Sequence, residues 1–168
     1  MMLVLDSTPL IYLAKTNLLE LLEKLPEKKI VPHLVYEEVI VGGKKRGAAD
    51  AFLVEKAIDR GIFEVRSAKN KKFLWTLARI PGMHEADAEV LALARELKAT
   101  AIVDEDKARS VADVNDVPNR GSGYLLLRLS KIGLLTRGEA KAKLDEMIKA
   151  GWRCSTEVYS EILKSLMR

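Results

Sequence analysis

The sequence predicts a three-layer α/β/α fold with a central parallel sheet, followed by a helical C-terminal extension. Two observations carry this. Short aliphatic or β-branched runs alternate with helical patterns through residue 120, and beyond that point three helical segments follow one another with no strand between them. The 168 residues suit a single domain, 1–168, with its core over about 1–133 and the extension over about 134–168.

Taken in order, Met2 to Leu5 reads as a strand. Leu10, Leu13, Ala14, Leu18, Leu21, Leu22 and Leu25 then keep helical spacing, with a break expected near Thr16 and Asn17. "KIVP" is a second strand, and "HLVYEEVIVGG" a brief helix that its glycines should stop. "GAADAFLVEKAIDRG" is a third helical pattern with a terminal glycine, and "IFEVRS" a strand. "HEADAEVLALARELKA" is a helix whose first turn carries acids, which suits the partial positive charge there. "TAIVD" is the next strand, and "DKARSVADV" a helix with Asp106 as candidate N-cap. In the tail, "GYLLLRLSKIGLL", "TRGEAKAKLDEMIKAG" and "STEVYSEILKSLMR" are helical; Thr136 and Glu139 make a capping-box pair, and Gly151 is a C-terminal stop.

Composition narrows the function classes. One cysteine, Cys154, excludes an internal disulfide framework and a thiolate zinc site, and fits a reducing compartment. The apolar N-terminus is interrupted by Asp6 and Pro9 and lacks the form of a signal peptide. No run approaches the roughly 18 apolar residues of a spanning helix, so a soluble protein is expected, and the cysteine usage points to the cytoplasm. A net charge of +4 permits attraction to nucleic acid without establishing it. The clusters Lys44, Lys45, Arg46 and Lys69, Lys71, Lys72 read as solvated loops. There is no P-loop, no Gly-rich dinucleotide fingerprint and no nucleophile elbow.

The acids are placed more tellingly. Open parallel sheets bind ligands beyond the carboxyl ends of their strands. Asp6 ends the first strand and Asp104 the "AIV" strand; Glu38 follows the second strand, and Asp87, with Glu85 before it, opens a helix. Each has an ordinary reading: Asp6 as an N-cap, Asp104 as a turn residue, Glu38 as helix surface, Glu85 and Asp87 as complements to a helix dipole. If Asp6, Glu38, Asp87 and Asp104 converge, two carboxylates about 5 Å apart repel by roughly 3 kcal/mol at an effective dielectric near 20, and the group needs protons or a hard cation such as Mg2+ or Mn2+.

"VLDSTPLIYLAK", "VYEEVIVG", "HEADAEVLALARELKATAIVDEDKARSVA" and "AGWRCSTEVYSEIL" together resemble the PIN-domain proteins of prokaryotes, in a branch with a long helical C-terminus. The resemblance covers nearly the whole chain and implies a PIN-like fold and a metal-dependent nuclease, mostly a ribonuclease, in many cases the toxin of a toxin-antitoxin pair. It carries the family's acids onto Asp6, Glu38 (better than Glu37), Asp87 and Asp104, with Glu85 and Asp106 as further metal-ligand candidates. It also matches a small hydroxyl residue to Ser122 in "VPNRGSG". One or two Mg2+ or Mn2+ ions would then activate water for phosphodiester cleavage, while Arg109, Lys44, Lys45 and Arg46 would draw in the RNA strand. A homodimer and an antitoxin-like partner are implied by the family alone. The competing expectation is a PIN-fold nucleic-acid-binding or regulatory interaction module with little turnover, which the additional C-terminal helices favour.

Overall fold

The computed structural model describes residues 1–168. Five parallel strands, β1 (Met2–Leu5), β2 (Lys28–Pro32), β3 (Glu64–Arg66), β4 (Thr100–Ile102) and β5 (Asn119–Arg120), lie in the order β3-β2-β1-β4-β5. β1 takes the centre because Leu3, Val4 and Leu5 are apolar on both faces of the pleat, as a parallel strand covered on both sides requires. It pairs Val4 with Ile30 of β2 and with Ala101 of β4. The chain builds outward from β1 through β2 to β3, then returns to β4 and β5 on the other side. That reversal puts the topological switch point between β1 and β4.

Right-handed crossovers assign the layers. α1 (Ser7–Lys15) and α4 (Ala49–Asp59) cover one face; α5 (Lys71–Ala78), α6 (Glu85–Leu97) and α7 (Asp106–Val114) cover the other. α8 (Ser122–Lys131) closes the core, and the extension, α9 (Arg137–Lys149) and α10 (Thr156–Met167), folds back so that α9 touches α1 and α10 packs on α8. Gly123 makes that packing close: a Cβ there would lie 2.4 Å from the Cδ1 of Ile162. The Thr136 capping box forms, with Glu139 N–H donating to Thr136 Oγ1 at 3.1 Å and Thr136 N–H to Glu139 Oε2 at 2.7 Å.

The local expectations fail in four places. The two glycines do not stop the helix after β2. It runs as α2 (His33–Tyr36), a π-helical segment over Glu37–Gly42, and α3 (Gly43–Lys45), because Gly43 is needed where α4 crosses: a Cβ there would meet that of Ala51 at 2.7 Å. Lys44 and Lys45 are therefore helical, and Lys44 pairs with Glu55 at 2.6 Å. Lys71 and Lys72 open α5 behind the N-cap Asn70, whose side chain accepts from Phe73 N–H. Glu105, not Asp106, is the N-cap of α7, so Asp106 is its first helical residue.

Away from the carboxyl edge of the sheet, Lys29 and Glu27 are among the buried charged side chains. Lys29 spends its ammonium on the carbonyls of Leu22 and Leu25, at 2.7 and 2.8 Å, and burial lowers its pKa. Glu27 is paired with Arg128, which ties α8 to the start of β2.

Candidate functional site

The carboxyl edge of β1 and β4 carries two neighbouring clefts. Asp6, the first residue past β1, caps α1: its Oδ1 accepts from Ser7 N–H at 2.8 Å, and its own N–H donates to the carbonyl of Ile102. The expected capping role is met, and Asp6 is also only 5% exposed. Asp87, on the first turn of α6, lies within side-chain hydrogen-bonding reach of Asp6 and accepts from His84 N–H at 3.2 Å. Burial first, then the charge of Asp87, pushes the Asp6 carboxyl well above the usual range. Glu38 adds a smaller push through space, from the π-helical segment, a geometry that recurs at functional sites. The Ser7 hydroxyl, buried beside the pair, has no hydrogen-bond partner. Asp6, Ser7, Glu38, Glu85, Asp87 and Glu105 line this acidic cleft of about 400 Å³.

Asp104 does not join them. Its Oδ1 accepts from Ser122 N–H at 2.7 Å; its Oδ2 accepts from the Ser122 hydroxyl at 2.5 Å and from Trp152 Nε1–H at 3.2 Å. Both oxygens are engaged by α8 and by the loop between α9 and α10. Asp104 lines a second, larger cleft of about 640 Å³, together with Asp106, Arg109 and Trp152. Thr8 and Glu105 border both clefts.

The expected Mg2+ or Mn2+ centre is therefore corrected. No three His, Cys, Asp or Glu side chains converge as a metal-holding group. Burial and the neighbouring Asp87 favour the protonated form of Asp6, Glu38 is solvent-exposed at the cleft's edge, and both oxygens of Asp104 are engaged by three donors. The residues present do not fit the ion in this arrangement.

Of the other singled-out residues, Glu85 borders the acidic cleft, Asp106 and Arg109 the second cleft, and Ser122 the junction through Asp104. Lys44, Lys45 and Arg46 line neither. Sequence reasoning gave no role to Trp152, Arg153 or Asn119. The signal available was "GWRC", an aromatic and a cation directly after a helix stop, between two helices that need only a short connection.

Three comparisons bear on descent. No curated protein matches the chain. Among solved structures, the crystal structure of PAE2754 from Pyrobaculum aerophilum is similar at a TM-score of 0.53 with 16% identity, covering 77% of this chain and 97% of that one. At that identity the likeness shows the fold alone. The family model described as DUF3368, PIN domain, matches residues 2–168. With the β3-β2-β1-β4-β5 sheet and acids at its carboxyl edge, the chain belongs to the PIN-domain family.

Proposed function

We propose that this chain is a PIN-fold nucleic-acid-binding or regulatory interaction module with little turnover of its own. The observation that carries the reading is Asp104: the acid expected to complete the catalytic set is bound on both oxygens by Ser122 and Trp152 and faces a different cleft from Asp6 and Asp87. A net charge of +4 and family membership support a polyanionic partner.

Labelled single-stranded RNA and DNA, assayed in parallel for binding and for cleavage, test this. Salt-sensitive binding without turnover is expected. A second reading, an RNA-cleaving enzyme of the toxin type, is favoured by one observation, that Asp6, Glu38, Glu85 and Asp87 line a single cleft. Cleavage by the wild-type chain that is lost in Asp6→Asn would establish that reading in place of the first.

A further inference from the structure

The acidic cleft repels phosphate, whereas the second cleft is built differently. Lys107, Arg109 and Arg153 line it, and none of them pairs with a carboxylate. Arg109 is held in place: its Nε–H donates to Asn119 Oδ1 at 3.2 Å, and Asn119, 8% exposed, is fixed by donating to Asp113 Oδ1 at 2.7 Å and to the carbonyl of Val117. With Nε committed, the two terminal nitrogens of the guanidinium remain as a fork, the geometry that matches two phosphate oxygens.

Three acids, Asp104, Glu105 and Asp106, share the cleft with these cations. Both Asp104 oxygens are turned to its three donors, and burial together with Asp104 keeps the Cys154 thiol above its ordinary pKa and so protonated. Glu105 and Asp106 are exposed to solvent. Residues at the starts of α7, α8 and α10 (Asp106, Gly123 and Val158) border the cleft, with the first N–H of α8 already donated to Asp104 and that of Val158 to Ser155 Oγ. Tyr12, half-buried, supplies an aromatic wall. About 640 Å³ falls within the range of small-ligand sites.

We propose that this second cleft binds the phosphate ester of an unpaired nucleotide, with Arg109 and Arg153 on the phosphate. A backbone phosphate of a single strand and a free mononucleotide share this chemistry. The strand form rests on the nucleic-acid reading above; the phosphate chemistry of the cleft does not.

The test uses the full chain, a fluorescent single-stranded 12-mer in RNA and DNA forms, and adenosine monophosphate as the free probe. The variants are Arg109→Gln and Arg153→Gln, with Lys56→Gln on α4 as a distant charge control, and thermal melting reports on folding. The expected result is a roughly tenfold loss of strand affinity in each arginine variant, with a salt slope shallower by about 0.7, and a change under about twofold in the control. Arg109→Lys should recover the slope but not the affinity, because it restores charge without the fork. Strand binding that both arginine variants retain would overturn the cleft and leave the nucleic-acid reading standing. Binding of adenosine monophosphate lost in Arg109→Gln, with no strand binding by any form, would uphold the cleft for a free phosphate ester and overturn the nucleic-acid reading. Binding of neither probe by the wild type would overturn both.

Discussion

Replacing Asp6 by Asn should stabilise the protein, and only at pH values where the aspartate is asked to ionise. Its carboxyl is held above the usual range by burial, by Asp87 and by Glu38, so the folded state holds this proton more tightly than the unfolded chain does. For an acid shifted upward, stability is lost as pH rises from the unfolded value near 4 towards the folded value, and no such loss exists below about pH 4. Two unit charges 4 Å apart at an effective dielectric near 20 repel by about 4 kcal/mol, and protonation of Asp6 avoids part of that. A gain of about 1–3 kcal/mol at pH 8 remains for the substitution. Asn keeps the N-cap bond to Ser7 N–H, since Asn and Asp cap equally well, so the comparison isolates the charge. For a chain of this size the gain corresponds to roughly 3–10 °C in Tm. Melting of both proteins in chelator-treated buffer from pH 4 to pH 8 measures it. A Tm difference that does not grow between those pH values, or an Asn variant that melts lower at pH 8, would refute the reasoning.

Trp152→Phe removes the indole donor to Asp104 while keeping most of the buried ring, and should cost about 1–2 kcal/mol in urea unfolding; a loss below about 0.5 kcal/mol would mean the bond to Asp104 does little to hold the loop. Gly123→Ala drives a methyl against Ile162 and should cost about 1–3 kcal/mol, with Gly123→Ala/Ile162→Val less destabilised than the sum of the two single changes; strict additivity would place the strain elsewhere. Arg128→Ala strands the buried Glu27, one of whose oxygens already lacks a partner, and should cost about 3 kcal/mol or more, whereas Glu27→Leu/Arg128→Met together should cost much less. Equal losses in the single and double variants would count against a buried-charge penalty.

Much of the fold was legible because its signals are local. The aliphatic runs at Met2–Leu5 and Lys28–Pro32 and the helical spacing of Glu85–Leu97 are each read from a few consecutive residues. The turn at Thr16 and Asn17 appears where it was expected, with Asn17 at a φ of 57°. α5 was missed because the lysines Lys71 and Lys72 at its start, with Lys69 just before it, masked a helix whose Leu74 and Leu77 are buried. β5 spans only two residues, too few for any periodicity. The Gly42–Gly43 stop failed because a glycine can serve close packing as well as termination, and only the crossing of α4 at Ala51 decides which.

The site divides along the same line. The sequence by itself determined which acids stand at the carboxyl edge, since a residue that ends a parallel strand or opens the following helix is placed there by connectivity. Only the tertiary structure decided what those acids do. Asp104 chooses between the acidic cleft and the second one according to Trp152, 48 residues away, and Ser122, 18 residues away. A carboxylate takes whichever donors reach its lone pairs, and those donors arrive through chain folding that no local pattern encodes.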